Sequence, residues 1–374
     1  MTDQFKDFKK IPIQDLFGPH ELKPFGVPIY APLIANRIWM VMTTAVSPTV
    51  SPSELDLFSN YTKEELDRLR NDAKTYFLFS QLWEGHSYKN YNFYELITTS
   101  AQRHNIPAEK IFLLTSNLLE EAHYEHSDFK IHVIVFNYFA GQVMQYLKSA
   151  FTIDQTVENI KNGTYTFLSL NRRKKPLRNY TVYKLFENKI DALMSYNLLT
   201  HLDFDFDNAT LRALCDSAPR TLDQENFEMN WACEPAEAAN PIQLFKNTAA
   251  SLVSETLFDT WDNTSIFYSE KTFKPMIYNH PVMIFGQQGL NTSLDMVGFK
   301  QYDKHFDLSF ESITDPKARI DAQVAQLLTL NNLTVQQRID WVLQDVDTIQ
   351  HNQQALIDQT YNRKKLAKFI SAIK

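Results

Sequence analysis

Glycine is scarce in this chain of 374 residues: there are eight, about 2% where an average chain has about 7%. None of them falls into a GxGxxG spacing or into GxxxxGK followed by Ser or Thr. The glycine-rich loops that let a backbone close on a dinucleotide or a triphosphate are therefore excluded in their usual form. Cysteine is scarcer still. Cys215 and Cys233 are too few for a disulfide framework or a thiolate zinc centre, and they suggest a reducing compartment. Positive charge is also in deficit, since 37 Lys and Arg against 44 Asp and Glu leave a balance of −7. No basic field extends over the whole surface of the kind that holds a nucleic-acid backbone, so any phosphate chemistry must be local. The apolar windows, Ile131 to Ala140 among them, fall far short of the ~20 residues that cross a bilayer. The opening MTDQFKDFKK lacks the apolar run of a signal peptide. A cytoplasmic protein is the expectation.

What is plentiful is aromatic surface: 27 Phe and 17 Tyr can fill more than one core. Six prolines in the first fifty residues make long helices improbable there. From Ser53, SELDLFSNYTKEELDRLRNDAK places acids early and bases late, as a helix dipole favours. The strand-like run YFLFSQLWEG comes next, then a helix over residues 92–105, then the apolar runs KIFLLTSN and FKIHVIVFNYF. Short apolar runs alternating with helical stretches predict βα units around parallel sheets buried on both faces. A second α/β unit starts near Gly163, with the join between residues 150 and 163. This gives an N-terminal domain over 1–155 with an irregular lead-in, and a C-terminal domain over 156–374. A further strand, loop and helix follow over 251–290. Two helices then close the chain. Asp315-Pro316 opens the first, with Ile320, Val324, Leu327 and Leu328 as its stripe, and Thr334 caps the second, which carries Val335, Ile339, Val342, Val346 and Ile349.

In open α/β sheets, ligands sit outside the C-terminal ends of the strands, which directs attention to the polar residues there. The segment FYSEKTFKPMIYNHPVMIFG, residues 267–286, sets Ser269, Glu270, Lys271 and Lys274 at a helix start and follows them with a short buried strand ending in Gly286. A helix N-terminus offers unpaired N–H groups and partial positive charge, so Ser269 and Lys271 suit a diphosphate, while Glu270 suits ribose hydroxyls. The bland reading makes Ser269 an N-cap and leaves the lysines in solvent. A second basic element stands after the strand TYTFLSL and Asn171: Arg172, Arg173, Lys174, Lys175 and Arg178, where a βα loop faces a ligand and guanidinium groups pair with phosphate oxygens.

Together these segments resemble the donor-binding half of a GT-B glycosyltransferase. YSEKTFKPMIYNHPVMIFG is similar to the signature of the α-1,3-fucosyltransferase family, in which Tyr-x-Thr-Glu-Lys opens a helix and a Val-Pro-Val-Val-x-Gly strand follows. The close match covers about 20 residues. Two departures stand out: Ser269 occupies the family's Thr position, and Val253-Ser254-Glu255-Thr256 stands at a longer distance where Phe-Glu-Asn-Ser is expected. The segment Met296-Val297-Gly298-Phe299 also resembles virus-encoded proteins of this kind, for which the setting is the host cytoplasm. The resemblance implies two Rossmann-like domains with parallel sheets and a C-terminal helical closure. It also implies a nucleotide-sugar donor held without a cofactor or metal, with Glu270 and Lys271 on its ribose and diphosphate; Arg172, Arg173, Lys174, Arg178, Glu255, Ser269 and Lys274 complete the candidate donor site. Cationic groups would neutralise the departing diphosphate, as fixed positive charge does where negative charge develops. An inverting transfer also needs a base for the acceptor hydroxyl, and Glu84 and His86 at the tip of YFLFSQLWEGH are the candidates. As plain strand terminators they would do nothing of the kind. The acceptor, a glycan, a small molecule or a modified DNA base, is not specified.

Rival readings keep the nucleotide and lose the chemistry, or bring in a metal. A non-catalytic nucleotide or nucleotide-sugar binding module would share the donor residues. In HLDFDFDNAT, Asp203 and Asp205, with Asp207, spell the DxD that holds a divalent cation in GT-A transferases. The same alternation is what a half-exposed strand shows, with Phe204 and Phe206 inward. EEAHYEH, with Glu120, His123 and His126, lacks the second Glu-x-x-His of a carboxylate-bridged site. No Gly-x-Ser-x-Gly elbow supports a hydrolase.

Overall fold

The structure is a computed structural model that describes residues 38–43, 56–59, 61–82, 85, 93–124, 128–171, 175–196, 242–257 and 265–373. The chain divides into two compact units: Met1–Met144, Thr260–Tyr268 and Asp358–Lys374 form the first, Gln145–Asp259 and Ser269–Ile357 the second. The division falls about ten residues before the boundary read from the sequence, and the chain comes back to the first unit twice.

The first unit contains β1 (Ile38–Thr43), α1 (Lys63–Asn71), β2 (Thr75–Gln81), α2 (Phe93–Arg103), β3 (Ile111–Thr115), α3 (Glu120–Tyr124), β4 (His132–Val135) and α4 (Tyr138–Gln142). The four strands form one parallel sheet in chain order, β1-β2-β3-β4. Every residue of β3 is buried, as parallel strands covered on both faces require. Phe77 and Phe79 project to one face, where Phe58 and Phe93 meet them at ring distances of 4.8 and 5.4 Å. Phe112 projects to the other. The helix expected from Ser53 begins only at Lys63, because Thr62 and Glu65 close a reciprocal capping box there. Before it the Asp56 carboxylate accepts from the Phe58 amide and folds residues 57–59 into a turn.

The second unit contains α5 (Ile153–Asn162), β5 (Tyr165–Asn171), α6 (Pro176–Glu187), β6 (Ala192–Tyr196), α7 (Ile242–Lys246), β7 (Thr248–Ser254), α8 (Glu270–Ile277), β8 (Val282–Phe285), α9 (Pro316–Leu327), α10 (Val335–Leu343) and α11 (Val346–Asp358). Its four parallel strands are ordered β6-β5-β7-β8. The helix caps fall where the sequence put them: Asp315 accepts from Ala318 N, and Thr334 forms a capping box with Gln337. Two expectations need correction. Leu328, counted in the stripe of α9, is exposed, because the chain tightens into a 3₁₀ turn at Leu328–Leu330. The closing pair of helices is four helices, since the one expected from Thr334 to Ile349 stops at Leu343 and restarts at Val346. The buried Asp345 makes that break: its carboxylate accepts from the Thr348 hydroxyl at 2.7 Å and from Lys304 at 3.0 Å. The last helix, α12 (Thr360–Ala372), belongs to the first unit. Its Phe369 meets Phe112 at 5.3 Å, and Asn362 exchanges two hydrogen bonds with the backbone of Asn137. Among the described residues no helix is long and apolar enough to cross a membrane.

His280, expected from HPVMIFG to lie in the strand after the helix start, stands just ahead of β8, is buried and serves the fold. Its Nε2 donates to the Phe245 carbonyl at 3.1 Å, which leaves Nδ1 to accept from the Ser251 hydroxyl at 3.0 Å. Burial pushes the imidazole pKa down from 6.5 to about 4, against two backbone carbonyls that favour the charged ring. Between those pH values the unfolded chain takes up a proton that the folded chain refuses. Stability from this residue is complete above pH 6.5 and declines as pH falls toward 4, by about 3 kcal/mol in all. Urea unfolding at pH 7, 5.5 and 4 should show that slope in the wild type, and His280→Gln should flatten it by the same amount. Parallel slopes would mean the ring is not buried neutral.

Candidate functional site

The order β6-β5-β7-β8 contains a reversal: from β5 the chain goes to β6 on one side, and its next strand, β7, pairs on the other. At such a switch point the loops leaving the strand ends diverge and open a crevice. The C-terminal ends flanking it are Asn171 on β5 and Ser254 on β7, with Glu255 one residue beyond.

Glu255 is fully buried and organises the head of α8. Its Oε1 accepts from Ser269 N at 3.0 Å and Thr272 Oγ1 at 2.6 Å, and its Oε2 from Ser269 Oγ at 2.6 Å and Thr256 N at 3.0 Å. Ser269 Oγ, having given its proton to Glu255, accepts in turn from Lys271 N and from Lys271 Nζ at 3.1 Å. Lys271 Nζ also reaches Thr256 Oγ1 at 3.2 Å and Glu270 Oε1 at 3.3 Å. The helix start is therefore not a row of free amides. Those of Ser269, Lys271 and Thr272 are engaged within the chain, and a carboxylate already stands against the positive end of the helix. What α8 presents outward is side-chain charge: Lys271 is 31% exposed and Glu270 32%. Burial pushes the Glu270 carboxyl up, but the charges of Lys271 and Lys274 outweigh it and hold the group below its ordinary value. Glu270 is thus an acceptor-only carboxylate at neutral pH. Lys274 lies 4.7 Å over the ring of Tyr146.

The basic loop divides. Arg172, Arg173 and Lys174 lie outside the described residues. Lys175 and Arg178 turn onto the backbone beyond β7: Lys175 Nζ donates to Thr256 O at 2.8 Å, and Arg178 Nη2 to Ser254 O at 3.3 Å and Glu255 O at 3.0 Å. Arg178 is buried, so it positions the turn that carries Glu255. Around this turn and the head of α8, Lys175, Arg178, Lys271 and Lys274 stand with two carboxylates, Glu255 and Glu270. The excess charge is positive in a chain that is negative as a whole.

Comparison of the chain with protein-family models, with curated proteins and with solved structures finds no match in any of the three. The site is read from its own geometry.

In the first unit Glu84 and His86 lie outside the described residues. Gly85 between them is buried against Phe267, where even a methyl group would overlap that ring, and its carbonyl accepts from Ser265 Oγ. The run Asp203 to Asp207, Cys215 and Cys233 also lie outside the described residues. Of EEAHYEH, Glu120 is fully buried and bonded by the Tyr94 hydroxyl and by Asn117 Nδ2 at 2.7 Å, while Glu121 pairs with Lys365 and Lys368 of α12. His126 is not described. No group of three His, Cys, Asp or Glu side chains suited to a metal occurs among the described residues. Asn117, in the polar tip that ends the run KIFLLTSN, uses its Oδ1 to accept from Leu119 N and Ile266 N.

Proposed function

We propose that this chain is a glycosyltransferase of GT-B type that moves a sugar from a nucleotide-sugar donor to an acceptor hydroxyl without a metal ion. One observation carries the reading: a partly exposed ammonium, Lys271, is held by two hydroxyl oxygens and the partly exposed Glu270 carboxylate beside a strand-end switch point, and is oriented through Ser269 by the buried Glu255. In this reaction the bond between the anomeric carbon and the diphosphate oxygen breaks as the acceptor oxygen bonds to that carbon. The diphosphate leaves with an added negative charge, which a pre-oriented cation stabilises most where water is excluded. Glu270, kept ionised by its lysine neighbours, accepts from ribose hydroxyls. Arg172, Arg173 and Lys174 add charge for the diphosphate, and Glu84 or His86 takes the acceptor proton. The division into two parallel α/β units supports this reading over a single nucleotide-binding domain. Acceptors are glycans, small hydroxylated molecules or a hydroxylated base in DNA.

Thermal-shift screening with UDP, GDP, ADP and CMP and their sugar conjugates tests it. A ligand at 100 times its Kd adds about 2.7 kcal/mol of stability, and one base should stand out. Slow release of that nucleotide from its sugar conjugate without acceptor marks an enzyme, whereas binding with no turnover marks a sensing module. No shift with any of the series removes the proposal.

A further inference from the structure

The switch point has a floor whose chemistry differs from that of the helix start beside it. Pairing between β5 and β6 runs to the strand ends, Asn171 opposite Tyr196, and pairing between β7 and β8 runs to Ser254 opposite Phe285. Between β5 and β7 it stops three residues earlier, at Leu168 opposite Ser251. The two central strands therefore part just where their last side chains would meet. Continuing the one-to-one register of Phe167 with Ala250 brings Asn171 level with Ser254, on the same face of the sheet. Asn171 is 2% exposed and Ser254 1%. The Asn171 amide gives its NH₂ to Ser169 Oγ at 2.9 Å, while its Oδ1 has no partner, and neither has Ser254 Oγ. Each strand thus ends, where the pair parts, in a buried polar atom without a hydrogen bond, which is a penalty in the unliganded chain.

We propose that Asn171 and Ser254 form the sugar-reading floor of this site, binding hydroxyl groups of the transferred sugar and not the diphosphate. The proposal rests on the donor reading above and assigns a part of the donor to a part of the site. One N–H of the Asn171 amide is engaged by Ser169 Oγ, and the atom left without a partner is its oxygen, an acceptor. A phosphate at neutral pH has nothing to donate to it. A sugar hydroxyl donates to Asn171 Oδ1 and accepts from Ser254 Oγ, so one hydroxyl or a vicinal pair satisfies both atoms. Because both are out of water, an analogue lacking that hydroxyl leaves them unpaired, which is how polar sites discriminate most strongly. The division of labour is then spatial: cations at the head of α8 take the diphosphate, and neutral groups at the parted strands take the ring.

Titration calorimetry with the nucleoside diphosphate and the sugar conjugate picked out by thermal shift tests this on the full chain. Three proteins are compared: wild type, the double variant Asn171→Leu with Ser254→Ala, and Lys271→Ala. The double variant should bind the sugar conjugate about tenfold or more weakly and the nucleoside diphosphate unchanged, while Lys271→Ala weakens both. The double variant should remain folded, since apolar groups replace two unsatisfied polar atoms and offset the lost bond from Asn171 to Ser169 Oγ. If Lys271→Ala weakens both ligands but the double variant changes neither, or both equally, the floor assignment fails alone and the two atoms hold water or another part of the donor. If the wild type binds neither probe, the donor reading itself fails and the floor assignment falls with it.

Discussion

Lys271→Ala is expected to lower kcat/KM for sugar transfer by about 10²-fold or more, the range seen when one oriented donor to a developing charge is removed. The size of the effect follows from how the ammonium is held. It touches Thr256 Oγ1 and Ser269 Oγ, both neutral, and one carboxylate, Glu270, that is itself partly exposed. Its charge is therefore not neutralised by a buried counter-ion and remains available to a ligand. For the same reason the variant should stay folded, within about 1 kcal/mol of the wild type, because a partly exposed ion pair contributes little to stability. Lys271→Arg should recover only part of the rate: a planar fork cannot fill the place of a compact ammonium held by three oxygens. Steady-state kinetics with the identified donor, read beside the melting temperature, separate the outcomes. A rate at the wild-type level in a folded Lys271→Ala protein would remove Lys271 from the chemistry and with it the main support for the proposed function.

Which parts of this molecule could be read from sequence depends on the length scale of the physics behind them. The buried parallel strands were legible because a five-residue apolar run such as IFLLT, bounded by polar residues, is too short for a buried helix and suits a sheet covered on both faces. Caps were legible because Thr62, Asp315 and Thr334 act on amides two or three residues away. The break at Asp345 was not, because its partner Lys304 is 41 residues distant and the apolar spacing runs across the break. The return of α12 to the first unit was equally hidden: the spacing of Leu366, Phe369 and Ile370 shows that the helix has a face to bury, and nothing local says against which sheet. In the site, Ser269, Glu270 and Lys271 were found as a contiguous string at a helix start. What escaped was the use of each group. Arg178 looked like a phosphate ligand and lies on two carbonyls of the β7 turn, and Glu255, taken for a ligand contact, is buried beneath the residues it was grouped with. Side-chain identity is local information, whereas the direction in which a charge is used depends on strands that meet only in the folded chain.

The role of Glu255 can be measured apart from catalysis, and Glu255→Ala should destabilise the chain by about 4 kcal/mol. Four donors converge on this carboxylate: the amides of Thr256 and Ser269 and the hydroxyls of Ser269 and Thr272. Each buried donor left without an acceptor costs about 1 to 3 kcal/mol, and the total is less than the sum because the hydroxyls can rotate and water can enter the vacated space. Glu255→Gln separates shape from charge. It keeps one oxygen for two of the donors and places an NH₂ against the other two; the Ser269 hydroxyl can turn to accept from it, but the Thr256 amide cannot. A loss of about 2 kcal/mol is therefore expected. Once Ser269 Oγ accepts from that NH₂, it has less capacity left for Lys271 Nζ, so the Gln variant should also bind nucleoside diphosphate more weakly while remaining folded. Urea unfolding of the three proteins at pH 7, followed by calorimetry on the folded ones, gives both numbers. If Glu255→Ala unfolds within 1 kcal/mol of the wild type, the carboxylate does not hold α8 against the end of β7, and the orientation of Lys271 must come from elsewhere.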